Sequence, residues 1–184
     1  MAKCPICNSQ KGKRKCLISN SFICSLCCGN VRKADTCSEC AFYQEPKRKY
    51  NGVPAYSVSE MDGNTELESY GNAVEGALCV YDIENGNKLR DSDAIRIIEL
   101  LIDMYHFKDN QIEVDNQIIA NGVKYLDGII REDLKDVDNE IIVKILGVIR
   151  FVANRRTKTG REYMKIIHQY VGQRIAPGIR VLRR

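Results

Sequence analysis

Cysteine is the residue whose number and spacing in this sequence point most directly to chemistry. The chain of 184 residues contains nine cysteines, and eight of them lie within the first 40 residues. Three pairs have the spacing Cys-x-x-Cys: Cys4/Cys7, Cys24/Cys27 and Cys37/Cys40. Two intervening residues allow a tight turn to direct both sulfurs at one ion, and four thiolates satisfy the tetrahedral coordination of zinc. Because no apolar export signal follows the N-terminus, we predict metal binding here rather than disulfides.

Eight cysteines provide the ligands for two complete four-thiolate sites, and we predict that the two sites interleave. The first site is expected to comprise Cys4, Cys7, Cys24 and Cys27, and the second Cys16, Cys28, Cys37 and Cys40. An exchange of Cys27 with Cys28 is the main alternative. A closed site leaves no position for a reacting water, so the two zinc ions are expected to organise the fold. An iron–sulfur cluster also takes four cysteines, and the spacing does not exclude it.

The spacing resembles that of the two-zinc cross-brace fingers, a class that includes the HIT, MYND and B-box fingers. The resemblance covers residues 4–40 only. Those fingers commonly use a late histidine, whereas both histidines of this chain, His106 and His168, lie far from the cysteine-rich segment. The Cys-x-His core of RING fingers is also absent. The resemblance implies a non-catalytic recognition module that binds proteins or nucleic acid.

Charge is distributed in three blocks along the chain. Residues 1–50 contain ten basic and three acidic residues, residues 51–149 contain eight and twenty, and residues 150–184 contain ten and one. The net charge of +4 therefore conceals an acidic middle between two basic ends. Positive fields of this kind attract nucleic acid or another polyanion. A zinc ion bound by four thiolates carries a net charge of −2, so some of the lysines in the first block also compensate the metal sites.

Two groups of basic residues are candidates for phosphate contact. The first lies in the loop between Cys7 and Cys16 and consists of Lys11, Lys13, Arg14 and Lys15. The second lies around the turn between the last two predicted helices, where the side chains are expected to be exposed beside a helix N-terminus that favours an anion. It consists of Arg155, Arg156, Lys158, Arg161 and Lys165. The aromatic residues Phe42, Tyr43 and Tyr50 could stack on unpaired bases or pack beneath the finger.

The rest of the chain has the apolar periodicity of helices. We predict a finger of little regular structure over residues 1–43, a basic linker over 44–56, and an all-α bundle of about five helices over 57–184. The helices are expected at about residues 67–86, 93–106, 115–132, 138–154 and 159–171. Gly122 and Gly128 are expected to allow close packing of the third helix, and Cys79 is expected to be a buried apolar residue.

The sequence favours a binding protein over an enzyme or a membrane protein. It contains no Walker A, dinucleotide-binding or metalloprotease motif, and no apolar run of membrane-spanning length. We therefore predict a non-catalytic, cytoplasmic zinc-binding protein whose partner is DNA or RNA. The alternative is an adaptor or assembly factor that uses the finger and the helical domain to bind a protein.

Overall fold

A computed structural model of the chain describes residues 2–37, 40–42, 48–109, 114, 116–158 and 160–182. The chain forms two units, Met1–Lys49 and Tyr50–Arg184, which we name the finger and the helical unit. Tyr43, residues 44–47 of the predicted linker, and Thr159 lie outside the described residues.

The finger is built on a short hairpin and the helix that follows it. Strand β1 (Arg14–Lys15) pairs antiparallel with β2 (Phe22–Ile23). Helix α1 (Ser25–Val31) begins directly after the hairpin, and α2 (Ala34–Cys37) follows. The small core of the finger consists of Ile23 and four buried cysteines, Cys4, Cys16, Cys24 and Cys27. The finger thus contains more regular structure than the sequence predicted.

The helical unit contains the five predicted long helices and, among its described residues, three short elements that were not predicted. The helices are α3 (Val58–Met61), α4 (Thr65–Glu84), α5 (Asp91–Tyr105), α6 (Gln117–Asp133), α7 (Asn139–Arg156) and α8 (Glu162–Tyr170). Strands β3 (Gln173–Ala176) and β4 (Ile179–Val181) follow and form an antiparallel hairpin. The prediction of an all-α domain is therefore wrong at its C-terminal end, and α3 adds one short helix to the expected five.

The core of the helical unit lies among the long helices. Helix α5 packs against α6 and α7, whereas α4 packs against α6, α7, α8 and the strand β3. The predicted apolar stripes point into this core: Ile98, Leu101, Leu126 and Leu146 are fully buried. Cys79 is also fully buried, in agreement with its predicted role. In the part of the chain that is described, no helix is long and apolar enough to cross a bilayer.

One of the two glycines of α6 lies at a close helix contact. A Cβ atom added to Gly122 would overlap the side chain of Ile97 and lie 3.0 Å from the Tyr81 ring. A Cβ atom added to Gly128 would meet nothing within 4 Å. Close packing, which was expected at both glycines, therefore occurs at Gly122 alone.

Part of the predicted linker packs on the helical unit. Tyr50 is only 7% exposed, and its hydroxyl donates to both carboxylate oxygens of Asp103 at 3.0 Å. The guanidinium of Arg150 lies 4.7 Å from the centre of the Tyr50 ring. The carbonyl oxygen of Pro54 occupies the position that a side chain at Gly147 would need. Residues 50–56 are therefore a docked segment of the helical unit.

This docking predicts opposite effects for two glycine substitutions. Gly147→Ala is expected to lower the free energy of unfolding by about 1–3 kcal/mol, because the added methyl group displaces Pro54. Gly128→Ala is the matched control, since it lies in a helix with open space at its Cβ position. It is expected to raise the free energy of unfolding by about 0.5–1 kcal/mol through helix propensity. Urea unfolding followed by far-ultraviolet circular dichroism measures both, and equal stability of the two variants would contradict the docked segment.

Candidate metal centre and basic surfaces

Four cysteines from two separate turns meet in the finger. Cys4 and Cys7 lie in a turn that is closed by two backbone hydrogen bonds, from Asn8 N to Cys4 O at 2.8 Å and from Cys4 N to Gln10 O at 2.7 Å. Cys24 and Cys27 lie at the start of α1, where the Cys27 amide donates to Cys24 Sγ at 3.4 Å. The hairpin between the two turns brings the second pair of sulfurs back to the first.

The geometry of these four sulfurs suits a tetrahedral metal ion. All four Sγ atoms lie within 4.8 Å of one another, and Cys7 Sγ is 3.8 Å from Cys24 Sγ. A zinc–sulfur bond of ~2.3 Å gives a tetrahedron whose edges are about 3.8 Å long. Cys4, Cys24 and Cys27 are buried and Cys7 is exposed. This group can hold a metal ion, and it is the first of the two predicted quartets, with Cys27 rather than Cys28.

The electrostatics of the group also favour a cation. Hydrogen bonds from the Ser9 hydroxyl and from the amides of Gln10 and Ser9 lower the pKa of Cys7 to about 5. Burial, together with the neighbouring cysteine sulfurs, raises the pKa of Cys27 to about 12. Four thiols this close therefore cannot all ionise without a compensating positive charge, which a divalent metal ion supplies.

The second predicted quartet is spread over three elements. Cys16 is buried in the hairpin, where the hydroxyl and the amide of Ser19 lower its pKa. Cys28 lies in α1, and the amide of Cys40 donates to Cys37 O at 2.8 Å. Among the described residues, only the first quartet brings three or more potential ligands within the distance that one ion requires. The second site stays a prediction.

The basic loop of the finger is largely exposed to solvent. Lys11, Lys13 and Lys15 are exposed, and none of them forms an ion pair within the described residues. Arg14 is half-buried, with its guanidinium 5.3 Å from the centre of the Phe42 ring. Phe42 is therefore covered on one side by a cation of the same unit.

The structure corrects the expected exposure of Arg161. Its guanidinium donates to both carboxylate oxygens of Asp82, at 3.1 and 2.8 Å, and to the carbonyl oxygen of Leu89 at 2.6 Å. Asp82 is fully buried and needs a counter-ion, which explains why Arg161 turns inward. His168 Nε2 lies 2.8 Å from the same carboxylate. Arg155, Arg156, Lys158 and Lys165, the other members of the predicted patch, are exposed.

The anion expected at the N-terminus of α8 is supplied by the chain itself. The buried carboxylate of Asp91 accepts from the amides of Tyr163 and Met164 at 3.2 and 3.1 Å. The Glu162 carboxylate accepts from the amides of Lys158 and Gly160, each at 3.0 Å. These internal carboxylates satisfy the amides that were expected to receive a phosphate, so any contact with nucleic acid here depends on the exposed cations alone.

One of the predicted aromatic residues, Phe42, is 42% exposed, and a further aromatic residue of the finger is exposed as well. Tyr50 belongs to the core of the helical unit, and Tyr43 lies outside the described residues. Phe22, which the sequence analysis did not single out, is 58% exposed in strand β2 of the finger. The alternation of Phe22 with the buried Ile23 is the sequence signal that could have identified it.

Comparison of the chain with protein-family models, with curated proteins and with solved structures found no match. The functional assignment therefore depends on the geometry of the finger and of the helical unit.

Proposed function

We propose that this is a non-catalytic zinc-binding protein that contacts nucleic acid through the basic loop of its finger and through its basic C-terminal patch. The observation that carries the proposal is the group of three exposed lysines in the finger loop, Lys11, Lys13 and Lys15. Exposed cations bind phosphates and release condensed counterions. The exposed cations Arg155, Arg156, Lys158 and Lys165 add a second contact surface.

Zinc is the metal we propose for the finger. The quartet of Cys4, Cys7, Cys24 and Cys27 holds one ion, and Cys16, Cys28, Cys37 and Cys40 hold a second. All nine cysteines are free in the structure, and eight thiols kept as metal ligands require a reducing compartment, so we place the protein in the cytoplasm.

The hydrogen bonds of the buried carboxylates support a structural rather than a catalytic role for these groups. Asp82, Asp91 and Asp103 are the buried acidic residues described, and each accepts hydrogen bonds from groups of the helical unit. Four thiolate ligands for each metal ion leave no open coordination position for a substrate. The proposed protein therefore binds its partner without transforming it.

The salt dependence of binding tests the proposed function. The zinc-loaded protein is expected to bind a labelled oligonucleotide, with an affinity that falls steeply with salt. Replacing Lys11, Lys13 and Lys15 with Gln is expected to reduce the slope of log affinity against log salt by roughly 0.7–0.9 for each lost phosphate contact. Lys135→Gln, an exposed lysine of the acidic part of the chain, is the control and is expected to leave the slope unchanged. Absence of binding to DNA and RNA at low salt would contradict the proposal.

A protein partner is the second candidate, and the finger carries the observation that favours it. Four aliphatic side chains of the finger are 40–63% exposed, namely Ile6, Leu17, Ile18 and Leu26. Exposed apolar residues in so small a unit are typical of a surface that binds protein. Binding to such a partner would depend weakly on salt, which separates the two functions.

A further inference from the structure

Phe22 shares one face of the finger hairpin with a lysine. Phe22 and Lys15 are directly opposite each other in the β1–β2 pair. Side chains at opposite positions of an antiparallel pair project from the same face and lie close together. The 58% exposed ring and the exposed ammonium group are therefore neighbours on one surface.

The other two lysines of the loop extend this surface. Exposure alternates along residues 11–15: the three lysines are exposed, whereas Gly12 is buried and Arg14 is half-buried. Side chains two residues apart in an extended chain lie on one face, about 6.8 Å apart. Lys11, Lys13 and Lys15 thus form a row of exposed cations, of which Lys15 lies opposite Phe22.

A concavity lies beside Phe22 and Lys13. It has a volume of about 540 Å³ and is lined by Ala2, Gly12, Lys13 and Phe22. Gly12 is needed to build it, because a Cβ atom at this position would overlap the carbonyl oxygen of Phe22. The Lys13 amide donates to Ile23 O at 2.9 Å and fixes the loop against β2.

We propose that this concavity binds one unpaired base of a single-stranded nucleic acid, stacked on Phe22, while the three lysines bind the adjoining phosphates. The inference rests on the proposed function and narrows its ligand. In a duplex the faces of the bases are covered by their neighbours, so a lone protein ring gains stacking energy only from a base that is free of the stack. An acidic peptide would match the row of cations but would not supply a planar group beside each charge.

Fluorescence anisotropy with the zinc-loaded full chain tests this inference. The probes are a labelled single-stranded DNA, its RNA equivalent, and the same sequence as a duplex. Phe22→Ala is expected to weaken binding to the single strands about tenfold and to leave binding to the duplex within twofold of the unmodified protein. Phe22→Leu keeps the apolar bulk without the ring and is expected to behave like Phe22→Ala, whereas Phe22→Trp is expected to restore binding.

Controls separate a failure of this inference from a failure of the proposed function. Leu26→Ala removes an apolar side chain of similar exposure outside the concavity. It is expected to change neither the affinity for the single strands nor that for the duplex. All variants should keep the metal content of the unmodified protein. Salt-dependent binding that is unaffected by Phe22→Ala would overturn the stacked base and leave the proposed function intact. Poly-glutamate of matched charge that competes as well as the oligonucleotide would assign the surface to an acidic peptide and overturn the inference. Absence of binding to every probe would overturn both proposals.

Discussion

Asp82→Ala is expected to destabilise the helical unit by about 3–5 kcal/mol, a large part of the 5–15 kcal/mol that stabilises a typical domain. The carboxylate is fully buried and accepts from Arg161, from His168 and from the Leu89 amide, which donates at 2.8 Å. Its removal leaves the guanidinium of Arg161, whose side chain is 28% exposed, without its counter-ion. Urea unfolding of the full chain measures the loss.

Two further variants distinguish the buried charge from a general loss of packing. The double variant Asp82→Ala/Arg161→Met is expected to be more stable than Asp82→Ala, because it no longer contains a partly buried cation without a counter-ion. Arg131→Gln breaks an ion pair with Asp127 in which the arginine side chain is 70% exposed, and it is expected to cost less than about 1 kcal/mol. A double variant that is less stable than Asp82→Ala would contradict this interpretation.

The stability contributed by Asp82 also depends on pH in a defined direction. Burial alone would raise the pKa of Asp82, but hydrogen bonds from His168, Arg161 and the Leu89 amide outweigh it and lower the pKa from 3.8 to about 2. A carboxyl group whose pKa is lowered in the folded state stabilises that state at pH values above its unfolded pKa. The stability difference between the unmodified protein and Asp82→Ala should therefore be constant above about pH 4 and shrink as the pH falls towards 2.

Removal of metal is expected to unfold the finger and to leave the helical unit folded. Among the described residues of the finger, the core consists of Ile23 and four cysteines, whereas the helical unit has a continuous apolar core of its own. Metal binding in modules of this size is coupled to folding, with apparent free energies of about 10–16 kcal/mol for structural zinc. Amide hydrogen exchange should show that residues 4–37 lose protection in chelator while the helices between residues 65 and 170 keep theirs.

Two cysteine variants serve as the matched pair for this result. Cys4→Ser removes a buried ligand and is expected to reproduce the effect of chelator on the finger. Cys79→Ser changes a buried cysteine of the helical unit, where burial raises the pKa of the thiol to about 12, and it is expected to leave the metal content unchanged. Protection of the finger amides that survives in chelator would contradict the role of metal in folding.

The parts of the structure that could be predicted from sequence are those specified by local spacing. The separation of Cys4 from Cys7 and of Cys24 from Cys27 defines two turns, and each turn presents both of its sulfurs in the same direction. The five long helices follow from a period of 3.6 residues in the apolar positions. The C-terminal hairpin also has a local signal, the turn at Pro177 and Gly178 between Ile175 and Ile179.

The parts that could not be predicted depend on partners that are distant in the sequence. Arg161 lies 79 residues from Asp82, and nothing near either residue indicates the pairing. Tyr50 lies in a stretch with the composition of a linker, yet it pairs with Asp103, 53 residues away. Basic residues close together in sequence are therefore not equivalent in structure: Arg161 neutralises a buried acid, whereas Arg155 and Arg156 remain exposed.

Native mass spectrometry of the full chain, purified without chelator, tests most directly whether zinc held by cysteine organises the finger. We predict a mass that corresponds to two zinc ions per chain, with zinc lost in Cys4→Ser and none lost in Cys79→Ser. A mass that corresponds to a single zinc ion, which is lost in Cys4→Ser, would support the first quartet as a metal site and contradict the second. A chain that carries no zinc would contradict the metal-organised finger on which the proposed function depends.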